Sequence, residues 1–313
     1  MVLNPAPNDL DLVVRAAWLY YEDGLTQAQI ATRLFVSRQT VGRLLESARQ
    51  HGIVRIELDS QYLAAMQLAT RLRERYGLRD AIVAPTAQGR LSRERTNERV
   101  AAALAAFVRR HLHPGAVVGV SWGDSVARAL SMLSEESLDG VQLVATAGEL
   151  SALDEVLTSS PHVMRRLRTL PAPLLVSSET VAGALREEAA VRDVLELARG
   201  AVVTLTGMGA ALPGGSAVQF GVTTDDEVAE FASRGAVGDM LGEWYDIDGN
   251  VVETSWSRRR IGLGLDELRG LSNVVGVAGG VEKVDAIRGA IAGHLIDALV
   301  TDEPTATALL ERQ

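Results

Sequence analysis

The chain opens with three short segments whose apolar positions recur at helical spacing. Leu10, Val13, Val14, Ala17, Trp18 and Tyr21 predict a first amphipathic helix, stopped by Glu22-Asp23-Gly24. Thr26 can cap a second helix over 27–34, with Ile30, Ala31 and Leu34 inward. After a tight turn, Ser37 can cap a third over 38–50, with Val41, Leu44, Leu45 and Ala48 inward. His51-Gly52 ends it, and residues 53–58 alternate like a short strand. Residues 61–80 predict a connecting helix. Its stripe of Leu63, Met66, Leu68, Leu72 and Tyr76 can pack on its own domain or on a neighbouring subunit.

From residue 80 the pattern changes to short β-branched runs between long Ala/Leu/Arg segments. Strands are predicted at 81–84, 116–121, 141–146, 174–177, 201–206, 273–278 and 298–301. Helices are predicted at 93–112, 124–133, 191–198, 225–233 and 284–295. This alternation predicts a mostly parallel, Rossmann-like α/β sheet with helices on both faces. Residues 243–253 interrupt it with a hairpin about Asp248-Gly249-Asn250. The expected organisation is an all-α, winged-type helix-turn-helix domain over 1–58, a linker helix over 59–79 and an α/β domain over 80–313.

With 313 residues and 47% apolar content, the chain can bury two cores. It has no cysteine, which excludes disulfides, a thiol nucleophile and Cys-based zinc sites. No leader pattern opens the chain and no apolar run is long enough to span a bilayer, so a cytoplasmic protein with no membrane partner is expected. A net charge of -9 excludes a globally basic nucleic-acid coat. Charge is local, however: the third helix carries Arg38, Arg43 and Arg49 against Glu46. Its polar residues Ser37, Arg38, Gln39, Thr40 and Arg43 cluster at the N-terminal end, the end a recognition helix points into the major groove. Arg can bridge guanine O6/N7 and Gln adenine N6/N7. Thr26 and Gln27 are placed to hold phosphate oxygens.

In parallel sheets, ligands bind beyond the carboxyl ends of strands, at glycine-rich turns. Several such turns stand here: Ser121-Trp122-Gly123-Asp124-Ser125, Gly148-Glu149, Gly207-Met208-Gly209, and Gly279-Gly280 followed by Lys283. Their backbone N–H groups can hold a phosphate, a carboxylate or a sugar hydroxyl. Lys283 is the single lysine among 31 basic residues, at a helix start that disfavours a cation on dipole grounds, so a ligand is a reason for it. Asp239, in a run of small residues, suits sugar hydroxyls. In the charge run Arg258-Arg259-Arg260, Arg260 is expected to turn inward. None of the five histidines sits at a predicted strand end, and no G-x-x-x-x-G-K-[ST] turn is present. No catalytic residue, cofactor or metal is therefore expected. The enzymatic alternative is an isomerase-like activity, with Glu149 the one acidic candidate.

The chain resembles the SorC/DeoR-type sugar-binding transcriptional regulators of bacteria nearly end to end. The resemblance is carried by Gln27-Ala28-Gln29-Ile30-Ala31, Val36-Ser37-Arg38-Gln39-Thr40-Val41, Ser121-Trp122-Gly123, Leu170-Pro171-Ala172-Pro173, Gly207-Met208-Gly209, Gly235-Ala236-Val237-Gly238-Asp239, Val277-Ala278-Gly279-Gly280 with Lys283, and Val300-Thr301-Asp302-Glu303. It implies an operator-binding regulator of carbohydrate use, assembled as a homotetramer or dimer of dimers. A sugar, polyol or sugar phosphate would modulate it, through a domain resembling a sugar-phosphate isomerase without its catalysis. Matched by position, Ser121, Gly123, Gly148, Gly207, Asp239, Gly280 and Lys283 fall where the family binds effector. Two departures stand out. Phe35-Val36 fills a turn that begins with Gly in many relatives. Asp124 brings a carboxylate into the first ligand turn; it would repel phosphate and leaves an unphosphorylated sugar or polyol open.

Overall fold

The computed structural model describes residues 7–55, 60–86, 92–149 and 160–312, which fall into two compact units, 1–59 and 60–313. The first unit is three helices: α1 (Pro7–Tyr21), α2 (Gln27–Leu34) and α3 (Arg38–Gln50). Thr26 and Gln29 form a reciprocal capping box at α2, and the Ser37 hydroxyl accepts the Thr40 amide at α3. Ile30, Ala31, Val41, Leu45 and Ala48 are buried as the spacing predicts. The inner face of α1 matches the predicted stripe only in part, at Val13 and Ala17. Val13, Ala16, Ala17 and Leu19 pack inward, while Leu10, Val14, Trp18 and Tyr21 are exposed. Apolar residues occupy two sides of α1, and periodicity alone does not separate them. The strand expected over 53–58 is not formed at Ile53–Arg55, and its remainder lies outside the described residues.

Phe35 ends α2 in the left-handed region (φ 55°) with its ring 95% exposed. An L side chain in this backbone region costs roughly 1–2 kcal/mol. Because the ring buries nothing in return, Phe35→Gly is expected to stabilise the first unit by about 1 kcal/mol, less a small loss from the freer unfolded chain. A denaturant midpoint that falls in this variant would show that Phe35 makes a compensating contact.

The second unit begins with α4 (Ser60–Tyr76). It packs on the strand that follows it and on the C-terminal helix Glu303–Glu311; the Tyr76 hydroxyl donates to Leu309 O at 2.7 Å. The strands are β1 (Asp80–Ala84), β2 (Val117–Val120), β3 (Gln142–Ala145), β4 (Leu167–Arg168), β5 (Val203–Gly207), β6 (Gly209–Ala210), β7 (Gly238–Met240), β8 (Glu243–Tyr245), β9 (Val274–Val277) and β10 (Ala298–Asp302). Seven of them form one parallel sheet, ordered β1-β10-β9-β5-β2-β3-β4. Helices α5 (Arg93–Val108) and α6 (Asp124–Ser131) are among those that cover it. The central strands are near-continuous buried runs, as a sheet covered on both faces requires.

Two expectations are corrected. Residues 174–177 form no strand; Pro173 and Leu175 make only isolated bridges, to Glu149 and Arg260. Pro171 and Pro173 bring no N–H to a ladder, and β4 extends the sheet instead. The hairpin of 243–253 is displaced. β8 pairs back onto β7 through Leu241-Gly242, both at positive φ, as a two-residue turn requires. Only the bridge Tyr245↔Val251 remains about Asp248-Gly249-Asn250. Arg260 does turn inward. It is 5% exposed, donates to Leu241 O at 3.3 Å and Leu263 O at 2.9 Å, and so ties this turn to the following segment.

Candidate functional site

At the carboxyl ends of β2, β5 and β9 the sheet opens into a cleft of about 400 Å³, counting the part open to solvent. Strand order changes direction around β2, with β3 on one side and β5 on the other. That is the place where open α/β sheets take ligands. The turn Trp122-Gly123-Asp124-Ser125 forms one wall and Gly207-Met208-Gly209 another, with Asn97, Ser216, Asp239, Val277 and Lys283 closing it. Gly123 adopts φ 149°, and a Cβ on it would lie 3.4 Å from Gly207 Cα. The two glycines let the β2 and β5 turns touch backbone to backbone.

Asp239 is the most constrained group in the cleft. It pairs with Gly209 across β6 and β7, and its side chain lies where a Cβ on Gly209 would stand, 1.9 Å from Oδ1. The residue is 2% exposed, and Oδ1 is buried without a hydrogen-bond partner. Burial pushes its carboxyl up to about 7, against the opposing pull of the Lys283 ammonium and the Gly242 amide. Burial likewise lowers the Lys283 ammonium, and the Arg93 guanidinium lowers it further, although Lys283 keeps some accessible surface.

The raised Asp239 carboxyl has a consequence for stability. Below its unfolded value of about 4 the group is protonated in both states, so its burial costs no charge. Between about 4 and about 7 the unfolded chain ionises first, and stability falls as pH rises. Asp239→Asn is therefore expected to melt higher than the wild type at pH 8, with the gap closing towards pH 4. A constant gap across that range would show that Asp239 is ionised in the fold throughout.

Of the other residues singled out from sequence, Ser121 is buried beneath the cleft, donating to Thr206 Oγ1 at 3.2 Å and Trp122 O at 3.0 Å. Gly279 packs against Thr96 and Val100, and the Gly280 amide is directed at Asp302 and Thr305. Gly148 lies against the Pro173–Leu174 backbone, and Glu149 is exposed, its amide donating to Ala172 O. These five are not among the residues that line the cleft.

Asn97, Ser216, Trp122, Met208 and Val277 line it without having been singled out. Asn97 and Ser216 come from helix faces that carry no local signature. Trp122 and Met208 stood inside the turns already marked. Asp124, meanwhile, is not a bare carboxylate. Both its oxygens accept from Arg128 Nε (2.8 and 2.9 Å), and Oδ2 also accepts from Asn97 (2.8 Å). The repulsion of phosphate expected from its sequence position is largely offset.

In the first unit, Arg38, Gln39 and Arg43 are exposed along the start of α3. Arg49 is tied to Glu46 at 2.6 Å, whereas no ion pair to Arg38 or Arg43 is present among the described residues. Thr26 and Ser37 are exposed but use their hydroxyls as caps; Gln27 and Thr40 are half-buried.

A helix-turn-helix unit joined to a parallel sheet with a polar cleft at its switch point defines a ligand-binding DNA-associated protein. Comparison with known proteins agrees. Residues 60–311 match the Sugar-bind family of sugar-binding domains, and residues 16–61 match the MarR family. The transcriptional regulator LsrR of Enterobacter sp. (strain 638) is 37% identical over 311 residues, covering 96% of this chain and 93% of that protein. LsrR of Escherichia coli (strain K12) is 34% identical, covering 95% and 94%. The crystal structure of the full-length sorbitol operon regulator SorC from Klebsiella pneumoniae superposes with a TM-score of 0.72 at 30% identity, covering 98% of this chain and 100% of that one. The chain belongs to the SorC/DeoR-type family of sugar-binding transcriptional regulators. It is a DNA-binding regulator with a sugar-binding domain, and no helix among its described residues is long and apolar enough to cross a membrane.

Proposed function

We propose that the chain represses or activates a carbohydrate-utilisation operon by binding its operator through α3, and that a sugar-class effector seated in the cleft shifts that binding. The observation that carries this reading is the cleft itself. A buried carboxylate with an unpartnered oxygen, Asp239, and the chain's one lysine, Lys283, converge there on backbone amides at a switch point. A carboxylate acceptor, an ammonium donor and glycine-turn N–H groups are what a polyhydroxyl ligand needs. In this reading Gly123, Ser125, Gly207 and Gly209 shape the seat. Ser121, Gly148, Glu149, Gly279 and Gly280 hold the surrounding turns. Arg38, Gln39 and Arg43 read base edges while Thr26, Gln27, Ser37 and Thr40 fix the helix start against the phosphate backbone. Effector and operator influence each other because the effector prefers one of two states that differ in DNA affinity. Pseudo-palindromic operators read by helix-turn-helix proteins call for paired copies, so a homotetramer built as a dimer of dimers fits this role.

The chain performs no catalysis in this reading. None of its histidines lines the cleft, and the helix-turn-helix has no role in an isomerase. A thermal-shift screen against sugars, polyols and their phosphates tests the proposal. An effector at 100 times its Kd stabilises the fold by about 2.7 kcal/mol. A screen in which no member of these classes raises the melting temperature would count against a sugar-class effector.

A further inference from the structure

Phe35 stands where a structural role alone would not put it. It closes α2 in the left-handed region at φ 55°. The turn is clamped on both sides. The Val36 amide donates to Ala31 O at 3.0 Å and the Phe35 amide to Thr32 O at 3.4 Å, the bond pair of a Schellman motif. Leu34 and Val36 pack against the core of Ile30, Ala31, Val41 and Leu45. The Phe35 ring between them is left 95% exposed. Glycine or asparagine serves such a turn with neither strain nor an apolar surface in water. Phenylalanine has both disadvantages in the free protein. A ring held out from a clamped backbone is preorganised for a contact that the isolated chain does not make.

The position of the ring indicates which contact. Phe35 lies two residues before Ser37, the N-cap of α3. Two residues span at most about 7 Å of chain. The ring therefore stands at the same end of α3 as Arg38, Gln39 and Arg43. Its exposed neighbours along the chain are polar: Thr32, Arg33, Ser37 and Arg38. Neither Arg33 nor Arg38 has an ion pair among the described residues. A ring flanked by two unbalanced guanidinium groups suits a polyanion that carries apolar groups in its grooves. A protein seated there would cover Arg38 and Gln39 and compete with DNA for them. In the major groove the apolar group is the thymine C5-methyl, which phenylalanine can contact.

We propose that Phe35 is a base-reading residue: with α3 in the major groove, its ring packs against the C5-methyl of a thymine beside the bases read by Arg38 and Gln39. This rests on the reading of α3 as the operator-binding helix. The strained backbone and the exposed ring are then held in the free protein for use on DNA, so stability and operator affinity oppose each other at this position. An apolar contact releases no counterion, so Phe35 adds sequence preference without adding salt dependence.

Duplexes selected from a random pool by the full-length wild-type chain supply the DNA for the test. Each thymine in them is replaced in turn by deoxyuridine, which lacks only the C5-methyl. For the wild type, loss of one such methyl per half-site should weaken binding about 4-fold, the worth of one buried methylene-sized group. Phe35→Gly and Phe35→Asn should each bind the unmodified duplex weaker by about 5-fold or more per half-site. At the sensitive thymine, the deoxyuridine replacement should then cost them nothing further. Phe35→Tyr keeps the ring and should keep the methyl preference. A wild type indifferent to every thymine methyl overturns the inference, as does a methyl preference that survives in Phe35→Gly or a Phe35→Gly protein that binds like the wild type. Weakened binding that coincides with a changed oligomeric state in sedimentation, with no methyl coupling, overturns it and assigns the ring to a contact between copies. Arg38→Ala separates the two readings. If it too binds like the wild type, the operator reading of α3 fails; if it is weakened while Phe35→Gly is not, only the role of Phe35 falls.

Discussion

Gly209→Ala is expected to abolish the effector response while operator binding survives. The reason is steric. A Cβ at Gly209 would stand 1.9 Å from Asp239 Oδ1, so the carboxylate must swing away or the β6–β7 pairing must spread. Either change moves the group best placed to accept a sugar hydroxyl. A 100-fold loss of affinity would cut the ligand-induced stabilisation at a fixed dose from about 2.7 to about 0.4 kcal/mol. The crowding itself should cost about 1–3 kcal/mol of stability. A double-mutant cycle separates the two effects. In an Asp239→Ala background the added methyl meets no carboxylate, so Gly209→Ala should then cost little. An equal cost in both backgrounds would place the strain elsewhere than at Asp239.

The second large effect lies at the other end of the chain. Arg38→Ala is expected to weaken operator binding by about 5- to 150-fold per half-site, since a two-point arginine–guanine contact is worth about 1–3 kcal/mol. Arg38 is exposed and has no ion pair among the described residues, so its loss should leave the helical unit folded. The variant should also discriminate less between operator and unrelated DNA, because a lost base contact removes specificity along with affinity. If affinity falls equally on both DNAs and the salt slope shrinks, Arg38 contacts phosphate instead.

How much of this was legible in the sequence depended on whether the signal was local. The caps Thr26 and Ser37 and the bounds of α2 and α3 follow from cap chemistry and helical spacing within a few residues of each other. The parallel strands were readable because fully buried strands are continuous apolar runs bounded by turn residues. α1 was partly misread because it is apolar on two sides, and residues 174–177 because the apolar run Leu174-Leu175-Val176 outweighed the neighbouring prolines.

The cleft shows the same division. Its glycine turns, Asp239 and Lys283 stand beside strand ends and announce themselves. The pairing of Gly209 with Asp239 depends on an antiparallel register across nearly 30 residues, which no local pattern encodes. Asn97 and Ser216 reach the site from helix faces, and only the fold reveals that Asp124 has two partners, Asn97 and Arg128.

The central claim is that one ligand site, built on Asp239 and Lys283, governs how tightly α3 holds its operator. The most direct measurement is the affinity of the full-length chain for labelled operator DNA, with and without a saturating effector, in the wild type and in Lys283→Met. The account predicts that effector shifts the wild-type affinity at least 5-fold, the lower end of usual allosteric coupling. Lys283→Met should bind operator as tightly as the effector-free wild type and show no shift. A Lys283→Met protein that responds to effector like the wild type would contradict it.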